Sequence, residues 1–342
     1  MSTPSLKSLL VTGAAGFIGS NFVRLFLEKH RDVEVINLDK LTYAGNLESL
    51  RDVESNSFYH FYKGDISDSS FVRRLFHEWH FDAVVNFAAE SHVDRSILGP
   101  SEFIETNVRG TMTLLEAARE FGVERFLQVS TDEVYGSLGP KGKFTESTHL
   151  SPNSPYSASK ASADMLCRSW WKTFGVPVLI TRCSNNYGPY QFPEKFIPLM
   201  IVNALQNRKL PIYGDGMNVR DWIYVEDHCE AIDAVLHKGQ IGEVYNIGGG
   251  NEVPNIEMAK LILGRLGKSE SLLEFVKDRP GHDRRYAMDS SKIEIELGWK
   301  PARVFADGIA ATVNWYLANE KWWSRIISGE YKQYYKLQYE NR

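Results

Sequence analysis

The segment that most restricts the fold is Thr12-Gly13-Ala14-Ala15-Gly16-Phe17-Ile18-Gly19. It follows an apolar run over Ser8–Thr12 and precedes an amphipathic stretch over Ile18–Lys29, so its glycines fall between a strand and a helix. In that setting they allow a tight turn, a close backbone approach to a pyrophosphate, and packing of helix on strand, while the helix N-terminus favours an anion. A bare glycine pattern is a weak signal. The strand and helix around it, with Asp39 ending the second apolar run, make it a strong one.

Asp39 can accept from both hydroxyls of a ribose and repels a 2′-phosphate, which predicts NAD rather than NADP; Lys40 beside it blunts that argument slightly. Asp65 follows the third run, where it could bond an adenine amino group, and Phe87-Ala88-Ala89 ends the fourth with small residues that let a dinucleotide lie close. Phe17, Ile18, Leu41, Thr42 and Ile66 complete this part of the candidate cofactor set.

Beyond the motif, short β-branched runs alternate with helical periodicity, as a parallel sheet with crossover helices requires. Strands are predicted over Ser8–Thr12, Val33–Leu38, Phe58–Lys63, Ala83–Phe87, Phe126–Ser130 and Val178–Arg182, and helices over Ile18–Lys29, Ser69–His80, Glu102–Phe121 and Ser157–Phe174. The fold class is α/β, a Rossmann-like doubly wound parallel sheet with its ligand crevice at the carboxyl ends of the strands. After about Ser184, Pro and Gly punctuation suits a smaller C-terminal α/β domain around a substrate. The predicted division is 1–184 for cofactor and 185–342 for substrate, with about 218–247 rejoining the first unit because Asp221–Val225 and Val244–Ile247 read as strands returning to or flanking the main sheet. Trp315–Arg342 reads as a docked helix and an irregular tail.

A chain of 342 residues can bury a large core, and its net charge of −4 gives no general attraction for nucleic acid or an anionic membrane. Cys167, Cys183 and Cys229 are widely spaced, no 18-residue apolar stretch occurs, and the N-terminus has no long apolar region, so a soluble cytoplasmic protein is expected. His77 and His80 lie three apart without a third ligand nearby in sequence and are read as ordinary helix histidines; no metal is assigned.

Two further segments carry chemistry. Ser130-Thr131-Asp132-Glu133-Val134-Tyr135-Gly136 and Tyr156-Ser157-Ala158-Ser159-Lys160 together offer an acid, a base and a redox tyrosine. Lys160 lies one helical turn from Tyr156, where its charge is expected to favour the phenolate. Adjacent Asp and Glu suit a reaction that removes a C–H proton and expels hydroxyl as water, because close carboxylates raise one another's pKa and settle with one protonated. They can converge only if the chain has left the strand, with Thr131 beginning the turn. The plainer readings are a helix cap at Thr131-Asp132-Glu133 and a solvated Tyr/Lys pair.

In order along the chain, these motifs resemble the extended short-chain dehydrogenase/reductase superfamily and, within it, the nucleotide-sugar 4,6-dehydratases. The resemblance runs from about Leu9 to about Pro301 and includes Leu41-Thr42-Tyr43-Ala44-Gly45-Asn46, Ala89-Glu90-Ser91-His92-Val93-Asp94-Arg95-Ser96, Ser184-Asn185-Asn186-Tyr187-Gly188-Pro189-Tyr190 and Arg279-Pro280-Gly281-His282-Asp283. It implies that Tyr156 takes the O4 proton of the sugar as the C4 hydride passes to NAD, that Lys160 holds the nicotinamide ribose, and that Thr131 bonds the 4-hydroxyl. It implies Glu133 as base at C5, Asp132 as acid at O6, and return of the hydride to C6. Matching substrate contacts are Ser91, Asn185, Lys195, Phe196, Pro211, Tyr213, Arg220, Asn255, Arg279 and His282, and matching cofactor contacts are Thr106 and Asn186. Lys195 and Arg220 could instead be surface ion-pair or loop-capping residues. The resemblance also implies a homodimer paired through Glu102–Phe121 and Ser157–Phe174, although Met165, Leu166, Trp170 and Trp171 could equally pack inward. A 4-epimerase and a non-catalytic NAD-binding sensor stay open as alternatives, as does the choice between thymidine and uridine nucleotides.

Overall fold

The computed structural model describes residues 6–328. Its main sheet has seven strands, all parallel: β1 (Ser8–Thr12), β2 (Glu34–Asp39), β3 (Tyr59–Lys63), β4 (Ala83–Asn86), β5 (Arg125–Thr131), β6 (Val178–Cys183) and, further along the chain, β10 (Val244–Ile247). The spatial order is β10-β6-β5-β4-β1-β2-β3. The order reverses between β1 and β4, and a doubly wound sheet opens its crevice at such a point. Buried Leu, Val and Ile fill both faces, as strands covered by helices on two sides require.

Helices α1 (Phe17–Lys29) and α2 (Ser69–Trp79) follow their strands as expected. The expected helix Glu102–Phe121 differs. After α3 (Val93–Leu98), α4 (Pro100–Phe103) runs into a π-helical turn over Ile104–Gly110 and then α5 (Thr111–Phe121). The widened turn has a local cause: Asn107 turns its side chain to the backbone of Glu90 and to Ser159, while Thr111 bonds the Asn107 carbonyl at 2.7 Å. Helix α6 (Pro155–Phe174) starts two residues before its expected limit, with a reciprocal Ser154/Ser157 capping box and Pro155 in its first turn.

Past β6 come β7 (Asn185–Tyr187), α7 (Phe196–Leu205), β8 (Leu210–Tyr213), β9 (Val219–Tyr224), α8 (Val225–Lys238), β11 (Glu252–Pro254), α9 (Asn255–Arg265), β12 (Leu273–Val276), α10 (Ser291–Leu297), α11 (Phe305–Ala318) and α12 (Glu320–Ser328). Of the two strands expected to return to the main sheet or flank it, Val244–Ile247 pairs with β6, whereas Val219–Tyr224 lies in a separate three-stranded sheet, β11-β9-β7. Its alternation explains the placement, since Ile223 packs into the core of the main sheet while Trp222 and Tyr224 pack into a second core with α7, α9 and α11. Ile293 of α10 and Trp299 also join the first core, so late residues complete the early unit beyond the expected 218–247. Of the expected terminal helix and tail, α11 and α12 dock on the second core, and 329–342 lie outside the described residues.

Helix α1 is pinned to α8 at one carboxylate: Asp233 receives Lys29 at 2.9 Å and His30 at 2.8 Å, and it pairs with His237 at 3.1 Å. Among the described residues no helix is long and apolar enough to cross a membrane.

Candidate active site

One pocket runs along the carboxyl ends of the strands, from the glycine turn after β1 to β7. At its first end Gly13 has φ +69°, and a Cβ there would lie 2.7 Å from the backbone of Ala88, so only glycine fits. Helix α1 begins without a side-chain cap and without an acid in its first turn. Its leading amides, beside Gly16, Phe17, Ile18 and Gly19 of the pocket wall, suit a pyrophosphate, and the residues present therefore fit a dinucleotide.

Asp39, Lys40, Thr42, Asp65, Ile66, Phe87, Ala88, Ala89 and Thr106 line the same cavity. Asp39 is buried and already accepts from the backbone amides of Ala15 at 2.9 Å and Leu41 at 2.8 Å, so it also shapes the turn around the glycines. Leu41 takes a left-handed conformation, φ 56°, within that turn. Asp65 bonds Ser67 and holds Lys40 at 2.7 Å, an ion pair at this end of the pocket that sequence reading did not foresee.

The catalytic candidates converge at the other end. Strand β5 ends at Thr131, whose hydroxyl accepts from the Glu133 amide at 3.3 Å and caps a single 3-10 turn over Asp132–Tyr135. The capping reading of this segment therefore holds, and the same turn brings Thr131, Asp132 and Glu133 to one pocket with Tyr156 and Lys160. Tyr156 and Lys160 are buried rather than solvated.

Burial pushes Asp132 well above the usual carboxylate range, and the neighbouring Glu133 and Asp221 push it further. Its Oδ2 is buried and has no hydrogen-bond partner among the described residues. Glu133 is also raised by burial, but Arg279, Arg220 and Lys195 pull it back. Burial raises both neighbours, but Asp132 more strongly, since three cations oppose the rise at Glu133 while Thr131 and Arg220 oppose it at Asp132.

Lys160 is anchored to strand β5. Its Nζ donates to the Val129 carbonyl at 2.7 Å, and Tyr156 stands well above its ordinary pKa because burial dominates and Glu133 adds to it, opposed by a hydrogen bond with Thr131. Behind the pocket, Arg182 pairs with Asp164 at 2.8 Å and donates to the Tyr135 hydroxyl, which donates to Asn246, so β6, α6, the 3-10 turn and β10 are locked together.

The substrate candidates divide. Ser91, Asn185 and Lys195 line the pocket, with Lys195 Nζ on the Ser91 carbonyl at 2.7 Å and Asn185 Oδ1 buried without a partner among the described residues. Pro211, Tyr213, Arg220, Asn255, Arg279 and His282 stand outside that lining. Arg220 is nevertheless no surface ion pair: it is buried, its guanidinium donates to the Val219 and Asp283 carbonyls, and it lies 4.3 Å over the Tyr286 ring. Tyr213 and Arg279 meet at Asp94, with contacts of 2.9 and 3.5 Å. His282, pushed down to about 4 by burial and the two arginines, bonds Asp278. Asn255 opens α9. Phe196 also stands outside the lining, and its ring stacks on Trp222 beside the second core at 6.2 Å between centroids.

Sequence reading assigned no role to Glu90, Cys183, Gln191 and Glu194, all of which line the pocket beside Phe192. Glu90 carried a signal in lying between Ala89 and Ser91, and Cys183 in lying at the end of a strand.

Comparison with known proteins agrees with this geometry. The family model described as GDP-mannose 4,6 dehydratase matches residues 10–312. The dTDP-glucose 4,6-dehydratase of Xanthomonas campestris pv. campestris (strain B100) is 56% identical, over 96% of this chain and 98% of that one. The dTDP-glucose 4,6-dehydratase DesIV of Streptomyces venezuelae, solved with NAD bound, superposes with a TM-score of 0.91 at 53% identity, covering 93% of this chain and 99% of its own. A UDP-glucose 4-epimerase of Thermotoga maritima shares the fold, with a TM-score of 0.86, but only 30% of the sequence, over 92% of this chain and 99% of its own. The chain belongs to the dTDP-glucose 4,6-dehydratase family of nucleotide-sugar-modifying short-chain dehydrogenases/reductases.

Proposed function

We propose that the chain is an NAD-dependent hydro-lyase that converts dTDP-glucose to dTDP-4-keto-6-deoxyglucose. The observation that carries this reading is the convergence of Thr131, Asp132, Glu133, Tyr156 and Lys160 on one pocket, with Asp132 raised well above the carboxylate range by burial and Glu133 raised by burial but opposed by Arg279, Arg220 and Lys195. An epimerisation at C4 needs no such pair. NAD, when bound, accepts the hydride from C4 and returns it to C6, and in its oxidised form brings positive charge into the pocket that Tyr156 lines.

The chain's own residues move protons. Thr131 orients the 4-hydroxyl and Tyr156 takes its proton, which makes C4 a ketone and acidifies the C5 hydrogen. Glu133 removes that hydrogen as an enolate forms, and Asp132 protonates O6 so that it leaves as water. Reduction at C6 is matched by return of a proton from Glu133 to C5. Overall, the proton that Tyr156 took from O4 makes good the one that Asp132 gave to water. Lys195, Arg220 and Arg279 supply the positive charge that a nucleotide diphosphate requires, with Ser91, Asn185, Pro211, Tyr213, Asn255 and His282 completing its surroundings.

In this reading the main-sheet core serves NAD and the second core serves the nucleotide sugar, and the chain works as a homodimer. Ile104 and Met165 support the dimer, being large apolar residues exposed on the two expected helical segments. Leu166, Trp170 and Trp171 pack inward at least in part. The three cysteines are free and buried, which fits the reducing cytoplasm.

Turnover of dTDP-glucose deuterated at C4 tests the reaction. The product is expected to carry the label at C6 and a solvent-derived hydrogen at C5; label retained at C4 of a sugar that keeps its 6-hydroxyl overturns the reading in favour of an epimerase.

A further inference from the structure

Helix α8 carries a histidine that the proton transfers above leave unused. His228 is wholly buried, and burial pushes its pKa down to about 3, so its ring is neutral at physiological pH. A neutral imidazole has one donor nitrogen and one acceptor. Nδ1 lies 2.9 Å from Oδ1 of Asn186, and a carboxamide oxygen only accepts, so Nδ1 carries the hydrogen.

The orientation of that amide is fixed from its other end. Nδ2 of Asn186 donates to the Ser184 carbonyl at 3.0 Å and approaches the Cys183 sulfur at 3.5 Å, whereas a flipped amide would set oxygen against oxygen. Asn186 lies on β7, three residues beyond Cys183, and Cys183 stands opposite Thr131 in the β5/β6 register. It therefore belongs to the catalytic end of the pocket rather than to the end around Asp39. Its carbonyl accepts from Gln191 at 2.9 Å, so one residue ties two parts of the wall together.

We propose that His228 is a positioning residue: as an uncharged Nδ1–H donor it locks the Asn186 amide, and with it the β7 wall, in the orientation that holds the nicotinamide end of NAD. This rests on reading Asn186 as a cofactor-side residue. The competing explanation is packing alone, in which any side chain of similar bulk would serve. The two differ in what a replacement must supply, namely a hydrogen or only volume.

Three substitutions separate them. His228→Leu keeps bulk and removes the donor, His228→Asn puts an amide nitrogen close to the former Nδ1, and His228→Gln reaches only the position of Nε2. The readouts are the NAD dissociation rate, the single-turnover rate of C4 oxidation at saturating NAD, and Tm. His228→Leu and His228→Gln are expected to release NAD about tenfold faster, while His228→Asn stays within about threefold of the parent even if its Tm falls as far. Equal NAD loss in the Leu and Asn variants, or parental retention in the Leu variant, overturns the proposal. Should the variants not fold, ¹⁵N resonances of His228 in the parent decide: a protonated Nδ1 that does not titrate between about pH 6 and 9 supports the assignment, and an Nε2–H tautomer or a titrating ring removes it. A parent protein that holds NAD yet leaves dTDP-glucose unchanged counts against the dehydratase reading, and the NAD dissociation rates still judge His228.

Discussion

Asp132 and Glu133 are neighbours with different chemistry, and their separation yields predictions that no shared role would give. Asp132→Asn is expected to let the first oxidation proceed, seen as NADH absorbance, while water loss slows by about 10²-fold or more. Glu133→Gln is expected to slow it likewise and to suppress solvent exchange at C5. Tyr156→Phe stops the sequence earlier, with the C4 oxidation itself falling by about 10²–10⁴-fold. Stability moves the other way. Burial raises the folded pKa of Asp132 above its unfolded value, so the folded chain binds more protons in that window and loses stability as pH rises through it. Asp132→Asn removes this dependence, so the Tm of the variant is expected to exceed that of the parent at pH 8, with the gap narrowing as pH falls. These residues were legible in the sequence because Thr-Asp-Glu and Tyr-x-x-x-Lys are contiguous motifs. Glu194 was not, since its place in the pocket wall comes from the chain path after β7 and leaves no local pattern.

Elements show the same division between local and distant causes. Helices α1, α2 and α6 could be read to within a few residues from glycine, capping and apolar spacing, which are local properties. The π turn in Ile104–Gly110 could not, because it follows from what Asn107 meets across the fold, at Glu90 and Ser159. The joint between α1 and α8 is likewise invisible in sequence, its partners being some two hundred residues apart. Asp233 there has its pKa lowered by His237, Lys29 and His30 against the effect of burial. His237 is raised by Asp233. A lowered acid stabilises above its unfolded pKa, about 4, and a raised histidine stabilises below its own, about 6.5, so both contributions are complete between those values. Asp233→Asn is expected to cost about 1–3 kcal/mol, read by urea denaturation, with its largest effect near pH 5 to 6 and a smaller one at pH 8, where the histidine contribution fades.

For the whole molecule, the doubly wound parallel sheet and its crevice followed from the alternation of runs, whereas the strand order and the pairing of β9 away from the main sheet did not. A six-residue strand whose two faces both face apolar partners reads alike in either sheet. The exposed apolar residues Ile104 and Met165 carry a prediction at this scale: the parent is expected to run at the mass of two chains by light scattering, and Met165→Glu at that of one, because a charge buried between copies has no partner. A parent of single-chain mass at micromolar concentration removes the dimer. The place of β10 in the sheet bears on how the protein is made. Strand β6 is complete at Cys183, but the neighbour that covers its edge is not finished until Ile247, about sixty residues later. At about 5–20 residues per second, a ribosome leaves that edge bare for roughly 3–12 s. An uncovered apolar edge is a template for pairing with another chain, so every nascent copy passes through an interval in which crowding by its siblings favours aggregation and a holding chaperone favours yield.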